Sequence, residues 1–429
     1  MTLILFSSLP AFSQPPVWIP KAENVLPPNY EITNTYIVDD QIIWVTAIDW
    51  SELNNSPVSP NHVIKVMKST NGGENWVVFD VEEAMGRISF DIHAFNDQKA
   101  WITTQNLISG AGRGLFLTTD GGETWTEKLN GTAGGGSLHF FDSMSAYCGV
   151  YDIIKITTDG GETWNDAASI PPFLPGEGGT SYSGAANEAV IGDTIWGGTG
   201  KGRVFRSIDR GNNWTVVNSD ASTNIPSIAF ANAQVGLLVR DNGDMSRSTD
   251  GGETWIPLDC EYDIFELIRI PGTKTILGTS YQYLGIGENK TVYSDDFGES
   301  WAKLDSVVTA YAPVFSSPTH GWVGGLRPAA DSPALYKWNS DELVSVNDLL
   351  AKSARINVFP NPFSSFINIS TEDVAIKSIR LLDMEGCVHA TYQGQETSAF
   401  SWELSGLASG IYFLEIKTTG GFIIKKIVK

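Results

Sequence analysis

The chain has 429 residues, with 49 acidic and 28 basic side chains and a formal net charge of −21; such a balance repels phosphate backbones and anionic membrane surfaces, so nucleic acid is not an expected partner. No run of 18 apolar residues occurs, so no transmembrane segment is expected. Cys148, Cys260 and Cys387 are scattered singly, which suits neither a disulfide framework nor a zinc site, and no metal or cofactor is expected.

In chain order, Leu3-Ile4-Leu5-Phe6 and Leu9 make a short apolar core before the small-x-small sequence Ala11-Phe12-Ser13. Residues 1–13 therefore read as a signal peptide, and the lack of a basic segment in front of the core reads as an incomplete leader. A strand-like Val17-Trp18-Ile19-Pro20 follows.

Six copies of one octapeptide come next: Ser69 to Trp76, Thr118 to Trp125, Thr157 to Trp164, Ser207 to Trp214, Ser248 to Trp255 and Ser294 to Trp301. Their tryptophans recur at intervals of 39 to 50 residues, the period of a repeat whose unit cannot bury its apolar face alone. An apolar alternating run precedes each copy and a β-rich run follows it, so each reads as a hairpin. The glycines supply positive φ, and the Asp and Ser or Thr side chains bond the turn's own amides.

The octapeptides resemble the Asp box, S/T-x-D-x-G-x-T/S-W, of sialidases, sortilin-type domains and photosystem II assembly factors. That resemblance implies a turn between the third and fourth strands of a β-propeller blade. Its structural positions fall on Asn71, Trp76, Asp120, Trp125, Asp159, Trp164, Asp209, Trp214, Asp250, Trp255, Asp296 and Trp301. Two copies depart from the pattern, through Asn71 and Asn75 in the first and Asn213 in the fourth.

A seventh unit, Val314 to Trp322 with Ala334 to Trp338, lacks a box and a closing strand. The N-terminal Trp18 segment, which matches Thr254-Trp255-Ile256-Pro257, is a strand without a blade. Together they predict a ring closed by the N-terminus, with no open sheet edge. The expected fold is all-β: a seven-bladed β-propeller over 14–342, a polar linker over 343–355, and a small C-terminal β-sandwich over 356–429.

The sandwich carries Phe359-Pro360-Asn361-Pro362-Phe363, Leu381 to Val388 (LLDMEGCV), Leu404 to Ile416 (LSGLASGIYFLEI) and a terminal Lys425 to Lys429 (KKIVK). In order and spacing these resemble the type A C-terminal sorting domain of the type IX secretion system. The resemblance implies export of a folded passenger across the outer membrane of Bacteroidota, with release or anchoring at the surface, and the type IX machinery as a partner.

The face opposite the boxes is the expected ligand side, because its longer loops surround the channel mouth. Aromatic and charged candidates there are Trp50, Glu52, Arg113, Tyr182, Tyr281, Tyr283 and Arg327. A sialidase-type site needs three convergent arginines, and Arg87, Arg113, Arg203, Arg240 and Arg327 exist, yet no Tyr–Glu pair can be placed beside them by spacing. Neither Glu82-Glu83 nor Asp295-Asp296 makes an acid/base couple, and no Ser-His-Asp spacing occurs, so no catalytic residue is assigned. The expectation is a secreted, non-catalytic binding or adhesion module for an extracellular glycan or protein. The alternative is a glycoside hydrolase with its site at the channel mouth.

Overall fold

The computed structural model describes residues 18–22, 25–27, 30–49, 60–106, 112–130, 136–150, 153–177, 188–218, 223–280, 290–305, 310–325, 335–339, 356–371, 375–383, 388–418 and 421–429. The expected leader over 1–13 and the expected linker over 343–355 lie outside them. The chain divides into two units, Met1–Asn339 and Ser340–Lys429.

The first unit is a seven-bladed β-propeller made of seven antiparallel four-stranded sheets. The innermost strands are Tyr30–Ile37 (blade 1), Ile88–Ala94 (blade 2), Ser137–Phe140 (blade 3), Glu188–Ile191 (blade 4), Ser227–Phe230 (blade 5), Glu266–Arg269 (blade 6) and Ala310–Ser317 (blade 7). The outermost strands are the least buried. Every residue of Ile88–Ala94 is buried, whereas the outer strand Val77–Val81 buries only its last.

Blade 7 takes its fourth strand from the other end of the chain. Trp18 pairs with Trp338 and Lys21 with Leu335, and the inner strands of blades 7 and 1 pack together. Trp18 is 2% exposed, with its ring 4.9 Å from that of Trp338. An indole buries about 150–250 Å², worth at most roughly 4–6 kcal/mol at about 25 cal/mol per Å². That burial holds the strand in place and leaves the ring with no seam.

The octapeptide turns are bonded internally. Thr118 Oγ1 donates to Asp120 Oδ1 (2.8 Å) and accepts from Gly122 N (2.9 Å), while Asp120 takes Thr124 N (3.0 Å) and Thr124 Oγ1 (2.6 Å). In the first copy Asn71 Oδ1 makes the equivalent bonds to Ser69 Oγ (3.0 Å) and Asn75 N (2.9 Å). In the fourth, Asn213 Nδ2 replaces the hydroxyl donor (2.7 Å to Asp209 Oδ2). The strand after each turn begins one residue beyond the tryptophan, as at Val77 and Thr126.

The turn is also a joint between blades. Gly161 has φ +90°, and a Cβ there would lie 2.6 Å from the Trp101 ring of the preceding blade. At Gly73 the clash would be with Trp322. The glycine thus meets two demands at once, a left-handed backbone and room for an indole. Trp44, Trp101, Trp196 and Trp322, all on second strands, are buried more completely than most of the box tryptophans. Lys68 Nζ reaches the next blade's Asp97 O (2.8 Å) and Gly121 O (2.7 Å), covering carbonyls that the turn leaves open.

The second unit is a β-sandwich. One sheet holds Ile356–Phe359, Phe366–Thr371 and Ala399–Glu403; the other holds Ile376–Leu382, Val388–Thr397, Ile411–Thr418 and Gly421–Val428. Ile367 and Ile369 from the first meet Ile379, Leu414 and Ile416 from the second in one core. The two ends of the domain are tied together: Phe363 N donates to Val428 O (2.9 Å) and Val428 N to Asn361 Oδ1 (2.9 Å). Lys429 Nζ caps the carbonyls of Leu404 (2.8 Å) and Ser405 (2.7 Å).

Candidate binding site in the central channel

The inner strands are sheet edges, so they turn unpaired backbone groups toward the channel that need partners. Side chains from the neighbouring blade supply some of them. Asp91 Oδ2 accepts from Leu138 N (2.9 Å), and Ser227 Oγ from Leu267 N (2.9 Å). Asp91 Oδ1 takes its own neighbour, Ile92 N (2.8 Å). The register of Ile88–Ala94 slips between Ser89 and Asp91, a bulge of the kind that re-aims a side chain. Similar slips occur between Ile32 and Asn34 and between Tyr311 and Val314.

Asp91 on blade 2 faces the field of Glu188, the first residue of blade 4's inner strand. Burial pushes Asp91 up to about 7, against the pull of the two backbone N–H groups, and Glu188 raises it further. Burial also takes Glu188 to about 7, partly offset by hydrogen bonds from Tyr147 and Ser137. Glu188 keeps some exposure, but toward the central cavity, where charge is solvated less well than in bulk water. Tyr147 donates its hydroxyl to Glu188 Oε2, and its own ionisation is driven upward by burial and then by that carboxylate. Two coupled acids near neutrality can exchange a proton with a ligand or with water.

An imidazole cluster lies nearby. His93 Nε2 is 3.1 Å from Tyr36 Oη, and the His93 and His139 rings are 6.0 Å apart. Burial, then the neighbouring His139, pulls His93 down to about 3; burial pulls His139 to about 4. Both rings are neutral at physiological pH and pack as polar aromatics. Tyr36 is pushed up to about 12 by burial and then by Asp91. Among the described residues no group of three His, Cys, Asp or Glu side chains is placed to hold a metal ion.

A cavity of about 210 Å³ occupies the channel. Its acids are Asp91, Glu188 and Glu266, on the inner strands of blades 2, 4 and 6, and Arg269 stands in the same cavity, on the strand of Glu266. Burial lowers the Arg269 pKa, and its Nε is buried with no hydrogen-bond partner among the described residues. Thr35, 9% exposed, also lines the cavity and holds a buried hydroxyl without a partner among the described residues. Ile228, Phe230, Leu267 and Phe315 add apolar lining.

Of the loop candidates, Arg113 is described: it is half-buried just before the third strand of blade 2, Gly114–Thr118. Trp50, Glu52, Tyr182, Tyr281, Tyr283 and Arg327 lie outside the described residues. Three of the five arginines considered for a carboxylate clamp have other engagements. Arg87 bonds Glu127 (2.7 Å), Arg240 donates to Ser246 Oγ (3.0 Å), and Glu177 grips Arg203 through both carboxylate oxygens.

Asp91, Glu188, Tyr147 and Arg269 are absent from the sequence-based candidates. Their signal is a polar residue inside a strand that ought to be buried on both faces, as in Ile88 to Ala94, where Ser89, Asp91 and His93 alternate with apolar residues. That alternation looks like an ordinary half-exposed strand until the strand is known to line a channel.

Residues 357–429 match the family described as secretion system C-terminal sorting domains. No curated protein matches the chain in sequence. Among solved structures, the chain is similar to YCF48 bound to D1 peptide, with 16% identity, a TM-score of 0.55, and coverage of 77% of this chain and 99% of that one. It is also similar to YCF48 from Cyanidioschyzon merolae, with 14% identity, a TM-score of 0.53, and coverage of 75% and 99%. At these identities the likeness is one of fold, the propeller.

Proposed function

We propose that this chain is an exported, non-catalytic binding protein. The C-terminal sandwich delivers the folded propeller to the type IX secretion machinery, and the propeller holds an extracellular protein or glycan segment over its channel face. The observation that carries this reading is the sorting domain at 357–429 joined to a propeller with a lined central cavity. The solved complex of a similar propeller with a peptide supports a peptide segment before a glycan. Deleting residues 356–429 should retain the propeller in the periplasm; undiminished surface display after that deletion would refute the export role. Glycan and peptide arrays probed with the full chain would identify the ligand class.

A second reading, a glycoside hydrolase, draws on one observation: two carboxyls held near 7 in a single cavity have the tuning of an acid/base pair. Against it, both Asp91 oxygens are occupied by backbone donors. Turnover of sialosides or plant polysaccharides that Glu188→Gln abolishes would replace the binding reading with this one.

A further inference from the structure

We propose that the central cavity holds one apolar α-amino acid as its zwitterion, with the carboxylate on Arg269 and the ammonium on the wall formed by Glu188 and Asp91. The inference concerns the channel interior and stands apart from whatever the outer face of the propeller binds.

Charge sets the ligand class. A simple anion would satisfy Arg269 but would share a small cavity with Asp91, Glu188 and Glu266. A simple cation would suit those acids and leave the buried Arg269 Nε without an acceptor, which costs free energy in a site shielded from water. A ligand carrying both charges answers both walls.

Position agrees. Counted from the hairpin that closes each inner strand, Arg269 is in the last pair, with Ile276, whereas Asp91 (with Thr103), Glu188 (with Gly197) and Glu266 (with Thr279) each lie three residues before the last pair. At about 3.3 Å per residue, the three acids share one level of the channel, and Arg269 stands roughly 10 Å from it along the strands. Asp91 spends one lone pair of each oxygen on Ile92 N and Leu138 N, and a carboxylate has about four such sites, so acceptor capacity remains. The unpartnered Thr35 hydroxyl is a further group able to bond the ligand.

Size and lining choose among zwitterions. A cavity of about 210 Å³ exceeds the roughly 150 Å³ cavity known to accept benzene. It therefore has room for an amino acid but not for a folded peptide. Ile228, Phe230, Leu267 and Phe315 would meet an apolar side chain, and a charged one would find no counter-charge among those four residues.

The test is calorimetric titration of the full chain with L-leucine, L-valine, L-phenylalanine and L-methionine. Two half-ligands accompany them: isoamylamine, which lacks the carboxylate of leucine, and 4-methylpentanoate, which lacks the amine. At least one of the four amino acids should bind with one site per chain, and for leucine each half-ligand should bind at least tenfold more weakly. Arg269→Met should weaken amino-acid binding at least tenfold, with Arg269→Lys losing less. Glu188→Gln should weaken amino-acid binding several-fold while leaving 4-methylpentanoate bound no more weakly than by the parent. Absence of binding by all four amino acids at about 10 mM would overturn the proposal, as would binding indifferent to Arg269→Met in a variant that melts like the parent. If Arg269→Met fails to fold, the half-ligand series on the unmodified chain decides the matter alone.

Discussion

The two ends of each blade treat carboxylates in opposite ways. In the box turns, Asp120 and Asp159 sit in solvent and are drawn down to about 2, first by the hydroxyls of Thr124 and Thr163 and then by the corresponding backbone amides. In the channel, Asp91 and Glu188 are driven up to about 7 by burial. The first arrangement satisfies the charge locally with donors from its own turn and asks nothing of a partner. The second keeps acids that folding alone would favour replacing, since charge is disfavoured where they lie. Cost retained in a cavity is a mark of function more than of stability.

The largest effect should come from the joints between blades. Trp101→Ala removes a fully buried indole packed beneath Gly161 and should cost about 3–5 kcal/mol, read as a lower midpoint in denaturant unfolding. Gly161→Ala adds a Cβ at φ +90° and 2.6 Å from the same ring, so it should also destabilise. Combined with Trp101→Ala, its steric part should disappear, leaving only the backbone strain.

Next come the channel acids. Their folded pKa values exceed their ordinary ones, so the folded state holds more protons than the unfolded chain between about pH 4 and pH 7. Stability should fall as pH rises through that window and level off above it. Glu188→Gln should flatten the decline, because the amide carbonyl still accepts from Tyr147 and cannot ionise. Equal slopes in the two proteins would break the contrast between channel and turn.

The box acids carry the opposite sign. Their contribution is present above about pH 4 and is lost as pH falls toward about 2, since their folded values lie below the unfolded ones. Asp120→Ala should lower the melting temperature at pH 7 and change it little at pH 2. The smallest effect should be Asn71→Asp, which keeps the turn's acceptor and adds its charge. It should shift stability by about 0.5 kcal/mol or less and bring to the first box the acid sensitivity of the others, visible in melts at several pH values.

The contrast also explains what could be read from residues alone. The boxes are contiguous, with donor, acceptor and glycine within eight residues, so their chemistry stands in the sequence. Phe359 to Phe363 and the terminal lysines are equally legible as motifs, although their bonding to one another through Asn361 and Val428 is a fact of the folded domain. The channel is assembled from single residues on separate blades: Asp91 and Glu188 are nearly a hundred positions apart, and neither belongs to a motif. Only the ring brings them together. The partner of the box glycine was hidden for the same reason, because Trp101 and Gly161 belong to different repeats.

The most direct test of the account is ligand binding by two full-length variants compared with the parent on the same arrays of peptides, glycans and free amino acids. One variant is altered at the box end (Asp120→Ala), the other in the channel (Glu188→Gln with Arg269→Met). The account predicts that the box variant melts earlier yet keeps the parent's ligands, while the channel variant stays folded and loses the zwitterion. Loss of ligand in the box variant, with unchanged binding in the channel variant, would contradict it.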